Sequence, residues 1–404
     1  MTAKPQAKQS YRQPGKQGGK KKRRQQQSTR NFDAYWRASL EDYVTTLAWS
    51  CDGSTLAAGA ASGEVLLWRA GEGAVLLRLA ASEQAIDTLG FSANGQYLAA
   101  AGQQGSVFIW DLTLLDWTVL AQPPEQSSVL PAVVPQPTTA PQPTIVLENP
   151  HCWIDRLTWH PTQSWLAFGA GAQVNVWDIA QAKQLTQQSF VASSVLGLAW
   201  HPDGQRLAAS GHTSVKVWAV DDWCGPPELI EVPGASLSVA WSADGQYLAS
   251  GNLDRTLTVV SWGNPPPWLM QGFPGKVRQV DWAPSPSGAS AGEVPVVAAA
   301  CVEGITLWRR QGKNWQSTVL EKHKGKVEAI AFHPTESLLA SAAQDGRLCL
   351  WKQAKSLQQT LRGVKAGFSA IAWHPQGHYL AAGGSHGELI IWAPSNRGAG
   401  FQKR

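Results

Sequence analysis

The 404-residue chain has only five cysteines, at 51, 152, 224, 301 and 349, and none forms a C-x-x-C pair. An odd, scattered set excludes a disulfide framework and a zinc knuckle and fits a reducing compartment, so a cytoplasmic location is expected. No apolar h-region marks a signal peptide at the N-terminus. The uncharged run 126–147 contains five prolines and cannot be a membrane helix; no membrane insertion is expected. The 38 glycines and 25 prolines punctuate the chain too often for a helix bundle or coiled coil. Catalytic signatures are missing as well. There is no G-x-x-x-x-G-K-[ST] and no H-E-x-x-H. G-x-S-x-G occurs at 288–292 and 383–387, but Ser290 lies in a Pro/Ser/Gly stretch and Ser385 in a turn, neither between a strand and a helix as a nucleophile elbow requires. No enzyme and no cofactor is expected.

Tryptophan is abundant, 21 residues, and each can bury ~150–250 Å², so a large core is available. Charge is unevenly spread. Residues 1–32 carry ten Lys or Arg and no acid, while the rest has 24 basic and 29 acidic residues, a net of −5.

Self-similarity dominates the chain after residue 43. One phrase recurs as Leu47-Ala48-Trp49-Ser50, Leu157-Thr158-Trp159-His160, Leu198-Ala199-Trp200-His201, Val239-Ala240-Trp241-Ser242 and Ile371-Ala372-Trp373-His374. Its aromatic stands at 49, 91, 159, 200, 241, 282, 332 and 373, in steps of 42, 68, 41, 41, 41, 50 and 41. A second aromatic follows at Trp68, Trp110, Trp177, Trp218, Trp308, Trp351 and Trp392, with Val260 in the fifth unit. Segments such as Val215-Lys216-Val217-Trp218 read as strands, and Asp52-Gly53, Asn94-Gly95, Asp203-Gly204 and Asp244-Gly245 as hairpin turns.

A unit of about 41 residues with four strands resembles the WD-repeat β-propeller blade over roughly residues 34–396. The Trp-Asp signature is intact at Trp110-Asp111 and Trp177-Asp178 only. The resemblance implies an all-β propeller of about eight four-stranded blades in residues 33–404, behind a disordered basic tail, 1–32. Seven blades is the alternative. The missing outer strand of the last blade is expected at 34–40, closing the ring with N-terminal chain. The resemblance further implies a buried relay in the seventh unit through His323, Ser341, Asp345 and Trp351. In the fifth unit Ser250 and Asp254 match without the His and Trp, and Gln104 stands in the Asp slot of the second. The Ala-, Gln- and Trp-rich body with its eroded signature resembles bacterial, in particular cyanobacterial, members.

Outside the repeat, Lys20, Lys21, Lys22, Arg23 and Arg24 form a candidate polyanion-binding run, but neither Tyr11 nor Phe32 adjoins it to stack on bases. The Pro-rich insertion, about 122–150, is expected to leave the second blade as an extended loop. His160, His201, His333 and His374 share one slot; turn capping is expected over metal capture, because equivalent residues of adjacent blades lie too far apart for one ion. Among tryptophans the repeat does not use, Trp153 and Trp268 are the leading interface candidates, followed by Trp117, Trp223 and Trp315. The expected function is a non-enzymatic scaffold, a monomeric propeller binding one or more proteins. The alternative is a ribonucleoprotein or nucleic-acid-associated factor, with RNA or another polyanion held by the tail.

Overall fold

The computed structural model describes residues 31–69, 75–115, 117, 140–190, 193–284, 295–302, 304–312 and 314–395. The basic run at 20–24 lies outside the described residues. The chain divides into Met1–Arg30 and Asn31–Arg404, and the fold is that of the second unit.

Among the described residues thirty-one strands form antiparallel sheets, which follow chain order except where the first strand pairs with the last. Six sheets have four strands. The seventh has seven, because Glu228–Trp241 pairs by its first half with His212–Ala219 and by its second with Tyr247–Asn252. That strand is the outer strand of the fourth unit and the inner strand of the fifth, so eight four-stranded blades result. The last blade consists of Phe368–Trp373, Leu380–Gly384, Glu388–Pro394 and, from the other end of the chain, Phe32–Ser39.

The second strand of each blade explains the alanine-rich phrases. Thr55–Ala60 and Leu338–Ala343 are buried along their whole length, since a neighbouring blade covers each face. Strands covered on both sides read as continuous apolar runs rather than alternating ones. Each of eight apolar clusters joins two consecutive blades, and the cluster holding Val44, Leu56, Trp68, Leu389 and Ile391 joins the eighth to the first. The ring is therefore closed.

Two boundaries differ from the sequence reading. Phe32 belongs to the closing strand, not the tail: it is buried and packs edge-on against Trp373 at 5.6 Å. The insertion 122–150 is not loop throughout. Ile145–Glu148 is the outer strand of the second blade, and Pro141 O accepts hydrogen bonds from Ala80 N and Trp110 Nε1. The apolar alternation of Ile145 and Leu147 outweighs the adjacent prolines, which lack N–H donors but still offer carbonyls.

Candidate functional site

Two sets of side chains lock the ring. The first comprises the inner-strand tryptophans. The indole Nε1–H of Trp49, Trp159, Trp200, Trp282 and Trp373 donates to the backbone carbonyl of Ala372, Gly90, Thr158, Ala240 and Ala331 in the preceding blade, at 2.8–3.2 Å. Trp241 Nε1 is buried without a partner. At the sixth–seventh junction Phe332 has no indole N–H to give, and the sixth blade reaches across instead. Gln279 pairs with both backbone groups of Ile330, and Asp281 Oδ2 accepts Phe332 N at 2.7 Å. Burial pushes the Asp281 carboxyl up to about 6, against two backbone N–H donors that lower it.

The second set is the repeated histidines. His160, His201, His333 and His374 place Nε2 2.9–3.3 Å from the carbonyls of Gly204, Gly245, Gly377 and Gly53, each in the next blade. Nδ1 accepts backbone N–H of the histidine's own turn, as from Gln163 at 2.9 Å and Glu336 at 3.1 Å. In His160, His333 and His374 both ring nitrogens are thus engaged, Nε2–H as donor and Nδ1 as acceptor, whereas Nδ1 of His201 faces Asp203 Oδ1 at 2.6 Å. Each ring also stands 4.7–5.0 Å edge-on from the next blade's inner tryptophan. The close approach requires glycine opposite. A Cβ on Gly204, at φ +78°, would lie 2.4 Å from His160 Cε1. Burial holds His160, His333 and His374 below the ordinary imidazole value. Among the described residues no cluster of His, Cys, Asp and Glu could hold a metal ion.

In the seventh blade the structure brings together the four relay residues. Trp351 Nε1–H donates to Ser341 Oγ at 2.9 Å, His323 Nε2 lies 2.8 Å from that oxygen, and His323 Nδ1 lies 3.3 Å from Asp345 Oδ1. Burial lowers the His323 value against the raising effect of Asp345. Burial would raise the Asp345 carboxyl, but the N–H of Lys324 and the His323 ring outweigh it and leave it low. Other blades solve the slot differently. In the second, Ser82 takes the histidine's place and donates to Gln104 Oε1 at 2.6 Å. In the fourth and sixth, Phe190 and Phe273 stand against Trp218 and Trp308. The fifth uses a buried network that sequence reasoning missed, linking Ser236, Ser250, Asn252, Thr256 and Thr258.

The interface candidates separate by packing. Trp117, Trp223, Trp268 and Trp315 are half-buried on the rim. Arg69 lies over Trp117 and Arg310 over Trp268, while Trp268 packs edge-on to Trp315. Trp223 packs edge-on to Trp200 at 6.3 Å. Trp153 alone of the five is open to solvent, at 69%. Its loop is nevertheless fixed: Asn149 N and Ile154 N donate to Gly105 O and Gly102 O, and Ile154 is fully buried.

A closed ring of four-stranded blades with the Trp–Ser–His–Asp relay defines a repeat propeller built to hold its shape. The profile of the family described as WD domain, G-beta repeat matches residues 184–219, 233–261, 314–352 and 355–393. The profile described as Anaphase-promoting complex subunit 4 WD40 domain matches residues 26–94. The chain therefore carries WD repeats over these segments. It is 27% identical over 110 residues to Protein transport protein SEC13 homolog A of Arabidopsis thaliana, an alignment covering 26% of this chain and 36% of that relative.

Proposed function

We propose that this propeller is a non-enzymatic scaffold that assembles a protein complex in the cytoplasm, with Trp153 as a primary contact. A bacterial source belongs to the same reading. The observation that carries it is the contrast at Trp153: an indole left open to solvent on a backbone that cannot relax to bury it. A rigid exposed aromatic loses little entropy on binding, and such residues dominate interface energetics. The repeat family supports protein interaction generally, and the likeness to a protein transport protein fits a role in assembly.

The test is affinity capture from native lysate of the source organism. Wild type should retain a stoichiometric partner in high salt. Trp153→Ala, with its melting temperature unchanged, should lose it. Equal retention by Trp153→Ala would move the contact elsewhere on the ring.

A further inference from the structure

In an antiparallel meander, the loops joining one blade to the next and the hairpins between second and third strands lie at the same end of every blade. Over the sixth to eighth blades these loops carry Lys276, Arg278, Lys322, Lys324, Arg362 and Lys365, with the carboxylates Glu321 and Asp345 among them. The loops touch. Arg347 Nη1 donates to Lys322 O, Gln344 N to Lys326 O, and a Cβ on Gly346 would lie 2.9 Å from Val364 O. The six cations therefore form one arc, and none of them makes an ion pair among the described residues. Past the eighth blade the corresponding loops of the first two blades carry Glu41, Asp42, Glu64 and Glu83.

Beside the arc a groove of about 320 Å³ runs over the outer half of the sixth blade. Its floor and walls include Phe273, Pro274, Trp308 and Val319, and its lining runs into the arc through Glu321 and His323. Val319 is 55% exposed. The blade carries Phe273 and Ala299 where the seventh has His323 and Ser341, which leaves Trp308 Nε1 buried without a partner. The slot itself carries one carboxylate, Glu321, and the cations lie beyond it in the arc, so its match is an amphipathic ligand with an apolar side chain in the slot and acidic groups over Lys322, Lys324 and Lys365.

We propose that this groove and arc bind an acidic peptide segment of a partner protein, with an apolar side chain seated on Val319 and Phe273 and its carboxylates on Lys322, Lys324 and Lys365. Nucleic acid fits less well. The arc's loops bury their apolar residues Val277, Val327 and Val364 and offer no exposed aromatic for base stacking, and the acidic loops past the eighth blade would repel a polymer running on along the ring. The inference deepens the protein-interaction reading but does not depend on Trp153, which lies on the loop between the second and third blades.

The experiment uses the full chain and fluorescence anisotropy. Three labelled probes are compared: a short peptide of Glu and Asp around a central Leu, the same peptide with Ala at the centre, and an oligouridylate of equal charge. Wild type should bind the Leu peptide most tightly. Lys322→Glu/Lys324→Glu/Lys365→Glu should weaken that binding at least about tenfold, as expected when like charges are juxtaposed. Val319→Asp should erase the preference for Leu over Ala. Glu41→Gln/Glu83→Gln on the acidic loops of the first two blades and Trp153→Ala should change neither. Wild-type affinity in the triple variant, or an unchanged Leu preference in Val319→Asp, would overturn the proposal. So would oligouridylate binding as tightly as the Leu peptide and falling by the same factor in the triple variant, which would make the arc a plain polyanion surface. Loss of the lysate partner in Trp153→Ala with peptide binding intact separates this proposal from the scaffold contact.

Discussion

At the scale of single residues, the same repeat slot is filled by different chemistry according to what the neighbouring blade offers. His160, His201, His333 and His374 each face a glycine turn in the next blade, whereas Ser50, Ser92 and Ser242 in the same slot accept an N–H of their own turn instead. Turn capping was legible from Trp-His-Pro. The glycine partner about 44 residues away was not, because a reach between blades leaves no local pattern. The relay in the seventh blade gives the sharpest energetic test. Asp345→Ala should strand the His323 ring inside the protein and cost ~1–3 kcal/mol. Gln104→Ala should cost less, since the Ser82–Gln104 pair is exposed and water can replace it. Denaturant melts of both variants rank the two costs; the reverse order would mean that the seventh-blade relay is dispensable. Acid tests the histidines together. His160, His323, His333 and His374 are held below their ordinary value near 6.5, so the folded state binds fewer protons than the unfolded one just below that pH. Their contribution is complete above pH 6.5 and is lost as pH falls. Asp281, raised to about 6, has the opposite sign: its contribution is present at low pH and is lost as pH rises through that value. The melting temperature should therefore climb more between pH 5 and pH 7.5 in Asp281→Asn than in wild type. An identical climb would show that Asp281 does not titrate in this window.

At the scale of elements, most inner and third strands were legible because an aromatic recurs near their ends at regular spacing, Val260 in the fifth blade being the exception, and many are rich in β-branched residues. Outer strands were harder. They face solvent on one side, so Lys183–Ser189 and Ser356–Leu361 are largely polar and carry little periodic signal. The strand Ile145–Glu148 hid behind prolines, and Glu228–Trp241 passes from one blade to the next without a broken sheet. Gly234, at φ +67°, takes the bend there. The closing strand was expected at 34–40, and the observed Phe32–Ser39 begins two residues earlier because Phe32 fills the space beside Trp373. Removing residues 1–42 should expose the edge of Glu388–Pro394 and uncover Trp392, lowering the melting temperature by several degrees and promoting aggregation through the unpaired edge. Removing only 1–30 should leave both unchanged. Scanning calorimetry with light scattering compares the two, and matching melts would mean that the ring does not need its N-terminal strand.

At the scale of the whole molecule, charge organises the chain more than fold does. Ten cations precede residue 33 with no acid among them, and the remainder carries a net of −5. Such a split allows the N-terminal segment to neutralise phosphates while the ring repels them. Full-length protein should then bind RNA or DNA without sequence preference, at roughly 10⁻⁴–10⁻⁶ M in physiological salt, with log affinity falling ~0.7–0.9 per log salt for each phosphate neutralised. Residues 31–404, which retain the complete closing strand, should bind none. Replacing Lys20, Lys21, Lys22, Arg23 and Arg24 by Gln removes five of the ten cations, so the salt slope should drop by about half. Filter binding across a salt series measures each quantity. Equal binding by residues 31–404 and the full chain would place the contact on the ring. If neither binds, the cationic segment has no polyanion to neutralise, and the ring's own loops are left to supply the recognition.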